Sequence, residues 1–311
     1  MMGNGVLLNL DHLCAEQDAG VWMQRALDVV EQALDAWVPA DAPSGLGEAM
    51  RYGVLDGGKR LRPLLVLASA HAASGCPKAA LRAAVAVELV HAYSLIHDDM
   101  PCMDNDVLRR GKPTVHVKFG EAVAMLAGDA MQALAFDVLT PDDGSVPEIL
   151  QARLCRNLAR SAGHGGMAGG QAIDLAHVGK ALDEATLKEM HRRKTGALLQ
   201  GSVEMGGLCG ELPAAGFQAL SEFGAAIGLA FQVVDDILDV TQDSATLGKT
   251  AGKDAEADKP TYVSLLGLEP AKAHAKALLS EACQALARTG LPTERTRLLA
   301  HLADKLVNRQ Y

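Results

Sequence analysis

No stretch of this 311-residue chain alternates apolar and polar positions for more than a few residues, whereas several repeat apolar residues at the period of a helix. Met23, Ala26, Leu27, Val30, Leu34 and Trp37 fall on one helical face within 21–38, and Pro39 with Pro43-Ser44-Gly45 punctuates the end. Phe119, Val123, Leu126, Ala130 and Leu134 repeat that spacing up to Pro141-Asp142-Asp143-Gly144. Long helical patterns follow over 183–208 and 214–241, with shorter ones over 270–288 and 294–309, the last after Pro292-Thr293. Long helices joined by short Pro/Gly turns predict an all-α bundle in a single domain over residues 1–311. Residues 1–20 are expected to pack on a partner copy or stay mobile.

Composition supports that class. Aromatic residues are only 4%, and Ala and Leu dominate the apolar set, which favours helix over strand. A chain of this length hides roughly 75% of its unfolded surface, enough for a large core. The net charge of −9 argues against nucleic-acid or anionic-membrane partners, which it would repel. Six scattered cysteines without a CxxC pair suit a reduced, cytoplasmic protein rather than a disulfide or zinc scaffold. The N-terminus lacks a basic region before its short apolar run, and no uncharged apolar stretch reaches about 18 residues. Neither a signal peptide nor a membrane span is therefore expected.

Chemistry concentrates in residues 91–116, HAYSLIHDDMPCMDNDVLRRGKPTVH. Pro101 should end a helix there, leaving Asp98 and Asp99 at a C-terminus whose dipole disfavours negative charge. Asp104 and Asp106 bring the count to four carboxylates in nine residues, a density that cations such as Mg²⁺ would relieve. His91 lies two turns before Asp98, and Arg109 and Arg110 offer cations suited to phosphate. A second cluster follows in FQVVDDILDVTQD, where Asp235, Asp239 and Asp243 repeat every four residues with Gln232 one turn earlier. Either cluster alone reads equally well as a solvated acidic face. Two of them, each at the end of an apolar helix, point to bound metal.

Gly57-Gly58-Lys59-Arg60-Leu61-Arg62-Pro63 adds cations beside two glycines, without the spacing of a P-loop. Lys194-Thr195 lies in a helical stretch, and Lys249 and Lys259 lie in the polar segment after the second cluster. Each lysine alone is ordinary surface charge; together they could close over a diphosphate. Gly163–Ala168 formally fits a dinucleotide fingerprint, but a helical pattern precedes it, so tight helix packing or a turn is the better reading. The sequence has no HExxH, no GxSxG and no zinc spacing, and Cys102 reads as incidental.

In this order, GGKRLRP (57–63), DDMPCMD (98–104) with LRRGKPT, GQAID (170–174), KTG (194–196) and FQVVDDILD (231–239) resemble the trans-isoprenyl diphosphate synthases, nearest the bacterial farnesyl diphosphate group. The likeness covers roughly residues 44–310. It implies a bundle of about ten or more helices around a central cavity, and a homodimer. It also implies three Mg²⁺ ions on an allylic diphosphate, held by Asp98 and Asp104 with Asp99, and by Asp235 with Asp236 and Asp239 in support. Arg109, Lys194, Thr195, Gln232 and Lys249 would contact that allylic substrate. Lys59, Arg62, His91 and Arg110 would bind isopentenyl diphosphate, and Lys259 would help close over the site.

The implied reaction is head-to-tail condensation of isopentenyl diphosphate with dimethylallyl or geranyl diphosphate, giving the C15 farnesyl product. Tyr93, with the small Ser94 beside it, matches the farnesyl pattern for a cavity floor, whereas the PCMDND wording looks like the C20 geranylgeranyl group. A terpene cyclase would not need the Gly57–Arg62 and His91 pocket. An inactive partner subunit would show eroded aspartate motifs, and both are intact here.

Overall fold

The computed structural model describes residues 10, 12–55, 57–179, 182–241 and 261–308. They form two compact units, one drawn from residues 1–156 and 205–211, the other from 157–204 and 212–311. The chain is all-α, as its sequence predicts; among the described residues the extended exception is one two-stranded ribbon.

The first unit holds α1 (Ala19–Trp37), α2 (Leu46–Val54), α3 (Leu61–Ala72) and α4 (Pro77–Asp98). The ribbon β1 (Leu108–Arg109) and β2 (Lys112–Pro113) follows, then α5 (Val115–Phe119), α6 (Glu121–Leu139) and the first part of α7 (Glu148–Ala162). Helix α1 starts where the Asp18 carboxylate accepts from the Val21 N–H at 2.9 Å, relieving one of the four unpaired donors of a helix start. Helix α4 is the axis of this unit. It is buried nearly all round over Ala79–Val90, and α1, α2, α3 and α6 pack on it. Helices α4 and α6 are each long and apolar enough to cross a membrane by length and composition, yet they pack against each other, and α4 is mostly buried.

Two predicted core faces are rotated. On α1 the buried side chains are Trp22, Ala26, Val29, Val30, Ala33 and Leu34, while Met23, Leu27 and Trp37 lie only half-buried. On α6 the correction is larger. The inward face consists of Ala124, Ala127, Gly128, Met131, Ala135 and Val138; of the predicted stripe Leu126 is 56% exposed, while Phe119 on α5 and Val123, Ala130 and Leu134 are only half-buried. Small residues let α6 approach α4 closely, and Met125 and Leu126 are left facing outward.

The second unit holds α8 (Met167–Ala176), α9 (Glu184–His191), a π-helical turn (Arg192–Gly196), α10 (Ala197–Leu208, of which 197–204 belongs here) and α11 (Ala214–Thr241). Then come α12 (Tyr262–Leu266), α13 (Leu268–Arg288) and α14 (Thr293–Val307). The 28-residue α11 is its spine, packing on α13, α14, α12 and the π turn. The glycine-rich stretch 163–166 is a turn between α7 and α8, one of the two readings its sequence allows.

Candidate active site

In the first unit, α4 stops at Asp98 because Pro101 cannot continue it, and Asp99 caps it with its N–H on the Leu95 carbonyl at 3.1 Å. The chain then folds back over the helix end. The N–H groups of Asp104, Asn105 and Asp106 donate to the carbonyls of Asp98, Met100 and Asp99 at 2.9, 3.1 and 3.1 Å. Carbonyls that α4 leaves unpaired are satisfied this way, and the backbones at Asp98 and Asp104 come together in one tight turn.

The ribbon that follows turns on Arg110 and Gly111, at φ of 53° and 77°. This is the mirror-image hairpin turn, whose twist suits two antiparallel strands. It sets the two arginines apart. Arg109 reaches back to Asp99, with Nε 3.0 and 2.8 Å from the two carboxylate oxygens and Nη2 2.5 Å from Oδ1. Arg110 donates to the Gly57 carbonyl, and its guanidinium lies over Gly58, where a Cβ would meet Nη2 at 2.9 Å. Gly58, at φ 142°, thus has a backbone that favours glycine. An open cleft of about 410 Å³ is lined here by Tyr52, Ile96, Asp99, Arg109, Arg110 and Val115, among others.

Cations crowd His91. Burial, and then the charges of Arg62, Arg110, Arg109 and Arg60, hold its imidazole well below the usual histidine pKa, so it stays neutral at pH 7. Burial likewise lowers Arg62 to about 10, and its Nε is buried without a hydrogen-bond partner. A neutral histidine among arginines, with a buried donor unspent, suits an anion. Lys59 is exposed at the same turn. Tyr93 lies half-buried on α4, its hydroxyl accepting from Gln132 Nε2 of α6 at 3.2 Å, and Ser94 Oγ donates to the His91 carbonyl at 2.9 Å.

In the second unit the π turn presents Lys194 and Thr195. Lys194 Nζ donates to Asp174 Oδ2 at 2.5 Å, and Thr195 Oγ1 to Gln232 Oε1 at 3.1 Å. Gln232 Nε2 continues to Asp236 Oδ1 at 2.8 Å, and the Tyr262 N–H reaches Asp236 Oδ2 at 2.8 Å. Inserted π turns recur at functional sites because they re-aim side chains within a helix. Here α8 must lie close: a Cβ on Gly170 would stand 2.1 Å from the Lys194 nitrogen. Asp236 and Asp239 are 2% and 5% exposed, and Asp235 is more open than either.

Both oxygens of Asp99 are engaged by Arg109. Asp236 likewise acts as an anchor for Gln232 and the start of α12, and Asp239 is buried although it shares a helical face with Asp235. Asp243, Lys249 and Lys259 lie outside the described residues. Among the described residues no three acidic, His or Cys side chains form a ready-made metal site. Mg²⁺ commonly uses one or two carboxylates, with substrate phosphate oxygens and water completing its shell, and the hard oxygens of Asp98 and Asp104 fit that demand.

The sequence reading gave no role to Asp174, the partner of Lys194, nor to Gln171, whose side-chain amide atoms are both buried without a partner. Their presence in the GQAID segment was the available signal.

Comparison with known proteins supplies an independent view. The family model described as polyprenyl synthetase matches residues 43–291. Farnesyl diphosphate synthase of Escherichia coli is 48% identical over 266 residues, covering 84% of this chain and 88% of that one. The chloroplastic geranylgeranyl pyrophosphate synthase of Capsicum annuum is 46% identical over 281 residues, covering 90% of this chain and 76% of that one. A Helicobacter pylori geranyltransferase, solved with magnesium and isoprenyl diphosphate, superposes with a TM-score of 0.83 at 34% identity, covering 94% of this chain and 99% of that one.

Proposed function

Because the chain belongs to the polyprenyl synthetase family, we propose that it condenses isopentenyl diphosphate head-to-tail with dimethylallyl and then geranyl diphosphate to give farnesyl diphosphate. The family match crosses both compact units, which supports reading residues 1–311 as one synthase domain. The observation that carries the proposal is in the first unit. There Arg62 of α3 and Arg110 of the ribbon lie near a neutral His91, which sits on the helix whose end carries Asp98. Anion-binding cations and metal-ready carboxylates are what a reaction with a diphosphate leaving group requires.

Asp98, Asp104 and Asp235 would hold Mg²⁺, three ions in all. When bound, these ions offset the charge that builds on the departing diphosphate. Arg109, Lys194 and Lys249 would contribute positive charge to the same group, and Thr195 and Gln232 would orient it. Lys259 would help exclude water. Lys59, Arg62, His91 and Arg110 would hold the isopentenyl diphosphate with its double bond toward the allylic C1. No side chain acts as a nucleophile; positioning and charge neutralisation supply the rate.

The outward apolar face of α6, with Leu126 and Met125, supports a homodimer. None of the six cysteines, all among the described residues, is joined in a disulfide, which suits the cytoplasm. The test is mass spectrometry of products from Mg²⁺, isopentenyl diphosphate and dimethylallyl diphosphate. A C15 diphosphate is expected. A C20 product would keep the chemistry and change the product, and no condensation, with EDTA making no difference, would overturn the proposal.

A further inference from the structure

Of the three cations in Gly57–Pro63, one faces the wrong way to meet a substrate. The Arg60 side chain is 2% exposed, and each of its three guanidinium nitrogens is engaged inside the protein. Nε donates to Glu31 on α1 at 2.6 Å, Nη1 to Glu88 on α4 at 2.7 Å, and Nη2 to the Val54 carbonyl at the end of α2 at 2.6 Å. Arg60 itself opens α3 from a left-handed backbone, φ 44° and ψ 35°. One planar group therefore ties together all four of the unit's first helices.

Buried ion pairs seldom add much net stability, because desolvation offsets the attraction. What a rigid, planar fork of donors supplies is geometry. Here it fixes the start of α3, which carries Arg62 and follows directly on Lys59, against the middle of α4. Glu88 lies three residues before His91, one turn away on the same helix face, so the partner of Arg60 and the His91 ring share one rigid support. The left-handed kink at Arg60 also separates Lys59 on one side from Arg62 on the other.

We propose that Arg60 and Glu88 are positioning residues for the isopentenyl diphosphate site: their buried fork sets the spacing between Lys59, Arg62 and His91 without touching the substrate. This rests on the assignment of that site given above.

The test uses the full-length protein with Arg60→Lys, which keeps the charge and loses the fork, and Glu88→Gln, which keeps the shape and loses the charge. Leu81→Ala, a fully buried truncation elsewhere on α4, serves as a control for general loss of stability. Steady-state KM for both substrates, kcat, Tm and calorimetric binding of isopentenyl diphosphate are measured for each. Both fork variants should raise KM and Kd for isopentenyl diphosphate tenfold or more, with kcat and the geranyl diphosphate KM within about threefold of wild type. Leu81→Ala should lower Tm with neither KM moved. A matched apolar pair, Arg60→Leu with Glu88→Leu, keeps the test open if a single variant fails to fold, and it should bind as weakly. Unchanged isopentenyl diphosphate affinity in the folded variants, or an equal loss for both substrates, overturns the positioning role alone. A wild-type protein that neither binds isopentenyl diphosphate nor condenses it overturns the site assignment instead.

Discussion

Arg109 holds Asp99 by a fork in which Nε and Nη2 engage both oxygens of one buried carboxylate. The second aspartate of the first acidic pair thereby braces the β-ribbon, which supports Asp98 and Asp104 as the metal ligands proposed above.

That division separates the acids experimentally. Asp98→Ala and Asp104→Ala should lower kcat by about three orders of magnitude and raise the Mg²⁺ concentration needed for half activity. Asp99→Asn should cost about 3 kcal/mol of transition-state stabilisation, near 100-fold, through a displaced Arg109, with Mg²⁺ half-saturation unchanged. A magnesium titration of all three variants decides it; a large shift for Asp99→Asn would put that residue back among the ligands.

Close packing at the π turn makes Gly170 sensitive. An added methyl would stand 2.1 Å from the Lys194 nitrogen, so α8 or the turn must move. Gly170→Ala should lose about 1–3 kcal/mol of stability by overpacking. It should also lose activity beyond what the Tm change explains, because Lys194 is carried on the displaced segment. Equal activity per folded molecule would refute that coupling.

His191 gives a pH signature. Burial is the main cause that lowers its pKa to about 4; Lys194 lowers it further and Asp174 opposes. The unfolded chain, with a histidine near 6.5, binds the proton more readily, so stability falls as pH drops from about 6.5 to about 4, by about 3 kcal/mol in total. His191→Phe, which can keep the stacking on Tyr262 at 5.6 Å, should flatten the dependence of the urea midpoint on pH over that range. Identical slopes for both proteins would show that the proton goes elsewhere.

Product length should respond at Tyr93. The ring is half-buried on α4, its edge toward His97 at 5.8 Å and its hydroxyl on Gln132. Tyr93→Ala should move the product from C15 toward C20, read by mass spectrometry of the dephosphorylated alcohols. If the C15 product persists, some other side chain forms the floor.

Much of this molecule is readable in its sequence where chemistry is unusual, and less so where packing decides. Asp98 at a helix end and the helix over 214–241 follow from proline and period alone. The face of α6 does not. Weighing Phe119, Leu126 and Leu134 as core follows size, but the tight approach to α4 selects Ala124, Ala127 and Gly128 instead. Nor can the text KRLR show which arginine turns inward. Arg60 is turned inward by Glu31 and Glu88, on helices that the fold brings near, and by the Val54 carbonyl. The bond from Lys194 to Asp174 was hidden for the same reason, twenty residues apart and joined by a turn with an irregular period.

Arg60, Asn105 and Arg110 all hold positive φ in segments that shape the site. Such backbones are disfavoured for L-residues by about 1–2 kcal/mol each, so the surrounding hydrogen bonds and contacts must keep them in place. On warming, these short segments have a downhill path to ordinary conformations that the long helices lack. Catalysis in this protein should therefore fade several degrees before its helices melt, the site losing its shape while the scaffold still stands.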